Sequence, residues 1–225
     1  MTPLWHSSPN FGERRDGLRP ELIVLHYTAM NTAQAAIDRL CDPEFEVSAH
    51  YVVSEKGVVT QLVEEAARAW HAGAGSWAGR DDINSRSIGI EIANPGTCPF
   101  SAPQMDAVED LIGQIMGRWD IRPEGVIGHS DLAPLRKCDP GRRFDWRRLA
   151  RGGLTVWPEP AERTPLGFQE AAEAFGYPKV ALGPLLEAFR QRFRPHAKGP
   201  LDDVDVALAN DLATRFPVDQ QAAIA

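Results

Sequence analysis

The chain lacks any apolar run long enough to cross a bilayer, so no membrane-spanning helix is expected. It also lacks an excess of positive charge. Lys and Arg number 24 against 31 Asp and Glu, a formal net charge of -7, and the pI is near 5.4. Binding to a phosphate backbone normally needs a cationic face, so the sequence predicts no nucleic-acid partner. Cysteine is scarce: Cys41, Cys98 and Cys138 are odd in number and scattered. They form no disulfide framework and suit a reducing compartment. The opening residues have neither the basic nor the apolar region of a signal peptide. Taken as the natural start, they predict a cytoplasmic protein; a trimmed start would void that expectation.

What is present is ordinary globular material, 43% hydrophobic and 24% charged over 225 residues. That length suits one substantial domain and a small one. The organising stretch is Leu22-Ile-Val-Leu25, four apolar residues in a row, followed at once by His26. Such a run reads as a central strand covered on both faces. An imidazole at its end would be mounted on a rigid element, as a metal ligand or catalytic base requires.

The remaining elements follow from periodicity and punctuation. Asn31, with Gln34 three positions on, reads as a capping box for a helix burying Ala36, Ile37 and Leu40 and ending before Pro43. Residues 48–55 and 58–63 read as a hairpin about Lys56-Gly57. Residues 64–86 form a connection long enough to be functional or mobile. In the strand 87–93, Ile88, Ile90 and Ile92 alternate, so Glu91 shares the other face with Gly89. Ser101 and Gln104 open a long helix striped by Met105, Val108, Leu111, Ile112, Ile115, Met116 and Trp119. A short strand at 125–128 delivers His129, and a helix is expected at 144–150. This order predicts an α/β fold over residues 1–154, a mixed central sheet flanked by helices. Prolines mark residues 155–165 as a linker. Helical patterns at 166–175, 182–193 and 202–216 predict a small three-helix domain over 166–225, with Phe168, Phe175, Phe189 and Phe193 as its core.

Two residues downstream complement His26: His129 in Gly-His-Ser-Asp and Asp139 in Lys-Cys-Asp-Pro-Gly. Two imidazoles and a carboxylate form a donor set for a catalytic zinc, which keeps a fourth position open. Zinc would bring a water's pKa to roughly 7 and polarise a carbonyl. Glu91 is the candidate to take that water's proton and pass it on. Lys137, two before Asp139, is the candidate to steady a developing oxyanion. With those two side chains turned inward, Cys138 would point away, though a thiolate beside Asp139 leaves a minor alternative ligand.

Six motifs keep their order over residues 8–146: Leu25-His-Tyr-Thr28, Ser48-Ala-His-Tyr51, Ala69-Trp-His-Ala-Gly73, Asn84-Ser-Arg-Ser-Ile-Gly-Ile-Glu91, Gly128-His-Ser-Asp-Leu-Ala-Pro134 and Arg136-Lys-Cys-Asp-Pro-Gly141. Together they resemble the zinc-dependent N-acetylmuramoyl-L-alanine amidases of the AmpD/AmiD kind. The resemblance implies zinc at His26, His129 and Asp139 and catalytic roles for Glu91 and Lys137. It implies cleavage of the amide between the lactyl group of N-acetylmuramic acid, or its 1,6-anhydro form, and L-alanine. Peptidoglycan fragments (muropeptides) would then be the partners of a monomeric enzyme. Phage and animal relatives look more distant, and the Tyr that precedes the hairpin His in the phage branch is here Ala49. The segment Ala188-Phe-Arg-Gln-Arg-Phe-Arg-Pro195 resembles the helical peptidoglycan-binding module of AmiD-type enzymes, which AmpD-type enzymes lack. The lipoprotein export signal of the AmiD type is not seen.

Other positions carry two readings each. His50 either contacts substrate or packs within the hairpin. His71, with Trp70 and Trp77, either lines the groove or forms a loop core. Asn94 either contacts the stem peptide or serves the turn before Pro95. Glu91 is either catalytic or a buried carboxylate paired with an arginine such as Arg86. Two rival functions stand beside the amidase: a non-catalytic peptidoglycan-recognition module, and a zinc peptidase cutting within the stem peptide.

Overall fold

The computed structural model describes residues 2–218. The apolar run becomes strand β3 (Leu22–Tyr27) at the heart of a mixed six-stranded sheet. The other members are β1 (Leu4–Trp5), β4 (Tyr51–Val53), β5 (Val59–Gln61), β7 (Ser87–Ile92) and β8 (Val126–Gly128), in the order β1-β5-β4-β7-β3-β8. β4, β7, β3 and β8 run parallel, and β5 returns antiparallel to β4 as the expected hairpin. A small second sheet pairs β2 (Phe11–Gly12) with β6 (Arg68–Ala69).

The period of two along each strand divides the core. Ile23, Leu25, Ile88, Ile90 and Ile92 face helices α3 (Ala102–Trp119) and α5 (Trp146–Arg151). Ser101 caps α3 as expected. The Gln104 side chain does not return to the cap; it donates to the carbonyls of Val53 and Ala93 and ties the helix to the sheet. Helix α1 (Ala33–Cys41) covers β4 and buries Ala36, Ile37 and Leu40. Its cap is Thr32, not Asn31, because the extended Thr32 puts its hydroxyl at Ala35 N. Gln34 instead donates to Asp38 one turn on.

The opposite face of β3 presents Leu22 and Val24, and β8 adds Ile127. Against them pack helices α6 (Phe168–Phe175), α7 (Leu182–Phe193) and α8 (Asp203–Arg215). Phe168, Phe175, Phe189 and Phe193 are core residues, as their spacing predicts. That core is continuous with the sheet, since Trp77 and Leu132 belong to the same cluster. Trp77 stacks edge-on against Phe175 and Tyr177. Gly176 leaves it room, because a Cβ there would come within 2.7 Å of the indole.

The long connection 64–86 is held by side chains from outside it. Arg14 donates to the carbonyls of Glu65, Asn84, Ser85 and Ser87. Within the connection lies the short helix α2 (Ile83–Arg86), and Asn84 Oδ1 accepts from the backbone of His71 and Ala72.

Candidate active site

Parallel sheets place their ligand sites beyond the C-terminal ends of their strands. His26 ends β3, and Glu91 is its registered neighbour on β7. β8 leads into the short helix α4 (His129–Leu132), whose first residue is His129. The backbone N–H of Ser130 donates to the Asp139 carbonyl at 2.9 Å, which brings the 134–141 loop back onto this turn. His26, His129 and Asp139 therefore converge. The separations are 2.9 Å from His26 Nδ1 to His129 Nδ1, and 3.0 Å from each to Asp139 Oδ2.

The hydrogen-bond network assigns the protons on these rings. The Ser87 hydroxyl sits 2.6 Å from the Ile83 carbonyl, which can only accept. Its single proton is used there, so it accepts from His71 Nε2 at 3.1 Å. His71 Nδ1 then accepts from His26 Nε2 at 3.0 Å. His129 Nε2 donates to the Ala72 carbonyl at 2.9 Å. Both histidines thus turn a bare Nδ1 lone pair inward, toward a carboxylate oxygen. Three acceptors with no proton to share repel one another, and a cation relieves that repulsion. Neighbouring corners of a tetrahedral zinc with bonds of about 2.0 Å lie roughly 3.3 Å apart, close to what this triangle presents. The donor set would fit a divalent metal, and all three donors line the same cleft.

Ser87, Gly89 and Glu91 share one face of β7, and each serves the site. Ser87 fixes the tautomer of His71. Gly89 lets the His71 ring lie on the strand, where a Cβ would come within 2.4 Å of its Cγ. Glu91 faces a cleft of about 400 Å³ lined by His26, Trp70, His71, Arg136, Lys137 and Asp139 among others. Its buried Oε2 has no hydrogen-bond partner among the described residues. Burial, and then the charge of Asp139, push its carboxyl well above the usual range, while Lys137 pulls the other way. Arg86 is committed elsewhere, to Glu21 and to the carbonyls of Trp77 and Arg80. Among the described residues Glu91 makes no ion pair.

Lys137 is exposed at the cleft wall, and Cys138 hydrogen-bonds Tyr27 outside the donor triangle. Two histidines and Asn94 take positions that their sequence context did not reveal. His50 is fully buried behind His71, where it accepts from Gly89 N at 3.0 Å and donates to the Ala67 carbonyl at 3.2 Å. His71 borders the cleft, but its polar atoms serve His26 and Ser87. Asn94 closes the turn around Pro95, accepting from Gly96 N and donating to the Cys98 carbonyl. The structure brings neither His50 nor Asn94 to the groove. Trp70 lines it; Trp77 lies under α6. Sequence reasoning missed Ser87, whose signal was its alternation with Gly89 and Glu91, and Arg39, which reaches the cleft from α1.

Fold and site together define a class: a hydrolase with a metal-competent donor triad and an unpaired carboxyl at the C-terminal edge of a mixed sheet. The chain belongs to the N-acetylmuramoyl-L-alanine amidase family, whose sequence pattern matches residues 16–142. It is 33% identical to N-acetylmuramoyl-L-alanine amidase AmiD of Escherichia coli, covering 89% of this chain and 85% of that protein. It is also 33% identical to the 1,6-anhydro-N-acetylmuramyl-L-alanine amidase AmpD of Haemophilus influenzae, over 63% of this chain and 86% of that one. Among solved structures, E. coli AmiD with anhydro-N-acetylmuramic acid-L-Ala-D-gamma-Glu-L-Lys superposes with a TM-score of 0.80 at 31% identity, covering 93% of this chain and 99% of that one. AmpDH3 of Pseudomonas aeruginosa with an anhydromuramic pentapeptide gives 0.80 at 32%, covering 94% and 96%.

Two expectations follow from the ring network. His71→Ala, and equally Gly89→Ala, should weaken divalent-metal affinity about 10- to 100-fold in a chelator competition, as removal of a ligand's hydrogen-bond partner does. Unchanged affinity in both would show that the relay does not orient His26. The second concerns pH in the metal-free protein. Burial lowers His26 to about 4 and His50 to about 3, aided by His129 and Arg14 respectively. The unfolded chain, with imidazoles near 6.5, takes up protons first. Stability is therefore complete above about pH 6.5 and is lost as pH falls toward 4 and then 3, by a few kcal/mol in all. Urea unfolding at pH 7 and pH 5 checks this; an identical midpoint would mean that these imidazoles fold already charged.

Proposed function

We propose that this chain is a zinc amidase that cleaves the bond between the lactyl carbonyl of N-acetylmuramic acid, free or 1,6-anhydro, and the L-alanine of the stem peptide. The observation that carries this is the convergence of His26, His129 and Asp139 on one cleft that also holds Glu91, whose buried Oε2 has no partner among the described residues. AmiD and AmpDH3, superposable over nearly the whole chain, hold anhydromuramyl peptides. Stem peptides carry carboxylates, and Arg39, Arg136 and Lys137 line the cleft of an otherwise acidic protein.

Zinc at His26, His129 and Asp139 would supply Lewis acidity toward the carbonyl and lower the pKa of water. The protein's own groups do the rest. Glu91 accepts a proton from the attacking water and delivers it to the leaving alanine nitrogen. Its raised pKa suits both halves of that exchange, since a carboxyl buried beside another charge holds a proton more firmly than a free one. Lys137 offers its ammonium to the carbonyl oxygen as charge accumulates there. Trp70 gives an aromatic wall to the sugar or the apolar stem atoms. The enzyme acts as a monomer.

Glu91→Gln should keep zinc and lose about 10²- to 10⁴-fold in turnover of a defined anhydromuropeptide. Mass spectrometry of the products reads the same experiment from the other side. Release of an intact stem peptide with a free L-alanine amine is expected. Cleavage inside the peptide would instead identify a peptidase, and zinc binding without any cleavage a recognition module.

The three thiols are unpaired, which suits a reducing compartment. We therefore place the reaction in the cytoplasm, on fragments returned from the wall. Fractionation of cells carrying the tagged full-length protein should recover it with cytoplasmic markers; recovery with the envelope would overturn this placement.

A further inference from the structure

Behind α4 lies a buried cluster that the proposed reaction does not use. Asp131 follows His129 by two residues and is fully buried. Its carboxylate accepts from Gly128 N at 2.8 Å, from Arg192 Nη1 at 2.7 Å and from the Tyr177 hydroxyl at 2.7 Å. The first bond caps the turn that begins with His129. The other two come from the C-terminal helical segment: Arg192 from α7, Tyr177 from the loop before it.

Arg192 is itself enclosed, its side chain 1% exposed. Its guanidinium lies 4.5 Å from the Trp146 ring and 4.8 Å from that of Phe193. A second nitrogen donates to the Val126 carbonyl at 3.0 Å and to Thr155 Oγ1 at 2.9 Å. Arg192 thus grips β8, which leads into His129, and Asp131, which follows it. The same turn also holds the third donor, because Ser130 N bonds the Asp139 carbonyl. A displacement of α4 would therefore move two of the three donors.

We infer that the C-terminal helices are a positioning device for the metal site, acting through Arg192 and Tyr177 on Asp131 to set the angle at which His129 and Asp139 meet His26. This rests on the reading of His129 as a metal ligand. A buried carboxylate left with one of its partners missing is poorly compensated, and the turn relaxes to find water or another donor. The helices are then part of the catalytic unit, and not a separable module beside it.

The test compares Tyr177→Phe and Arg192→Met with Leu212→Ala. Leu212 lies on α8 in the same apolar cluster, and its side chain offers no hydrogen bond to Asp131. For each full-length variant, zinc affinity is measured by chelator competition and the cobalt(II) spectrum is recorded, well below the unfolding temperature. Arg192→Met should lose about tenfold or more in zinc affinity and Tyr177→Phe about threefold, both with altered cobalt spectra. Leu212→Ala should unfold at lower temperature yet bind zinc within about twofold of the parent, being independent of the turn. If Arg192→Met does not fold, Tyr177→Phe decides, since it removes one oxygen. Parent-like zinc affinity and spectra in the Asp131-partner variants would overturn the inference. So would a loss in Leu212→Ala as large as theirs. A parent that binds no zinc would remove the metal reading itself, a separate failure from either.

Discussion

Three lone pairs aimed at one point constrain most of this architecture. Two imidazole nitrogens and a carboxylate oxygen approach within 3.0 Å, with no proton assigned between them. Such a triangle holds only if each ring is denied its alternative tautomer. That requirement reaches outward. His129 needs the Ala72 carbonyl, so the connection after Trp70 has to be fixed. Asn84 fixes it by accepting from two successive backbone amides. His26 needs His71, which needs Ser87, which needs the Ile83 carbonyl at the start of α2. The 64–86 connection thus supplies several of the polar groups that fix the two histidines.

The sheet supplies the coordinate frame. Parallel pairing of β3 with β7 sets His26 beside Glu91 and Val24 beside Gly89. The period of two then assigns work to alternate residues of β7: a hydroxyl, a gap, a carboxyl. Among the described residues the carboxyl makes no ion pair, and Arg86, which precedes the strand, is spent on Glu21. A salt-bridged Glu91 would be a weak base with a depressed pKa; an isolated one keeps affinity for a proton. The unsatisfied oxygen costs stability, a cost that fits the proton-transfer role proposed for Glu91.

Much of this was legible in the sequence because it depends on local order. The apolar run at 22–25, the hairpin, the Ser101 cap and the three C-terminal helices all rest on periodicity and punctuation within a dozen residues. The donor triad was legible because few residue types bind zinc and the motifs around them keep their order. Other assignments depended on contacts that local sequence does not encode. The cap at Thr32 instead of Asn31 turned on one residue's backbone angle. His50, His71 and Asn94 carry polar groups suited to substrate, and only the fold shows that their partners are Gly89, Ser87 and the backbone of residues 96–98. Trp77 could be read as either a groove aromatic or a structural core residue, and it is claimed by Phe175 and Tyr177, about a hundred residues away. Arg192 and Asp131 each stand within a motif, but nothing in either motif pairs them, since a buried ion pair reads in sequence as two surface charges.

The helical segment is built into the core of the sheet. In this chain the segment cannot be subtracted without consequence. Leu22, Val24, Ile127 and Leu132 lie against its helices, and bare they would form an apolar patch beside the site. Asp131 would lose two of its three hydrogen bonds in the same stroke. A chain that ends near residue 154 would need a polar surface on this face of the sheet and another partner for the carboxylate two residues after His129. Here that face is apolar and two of the carboxylate's partners come from the helical segment, so the helices and the strand ends share one core and one polar cluster.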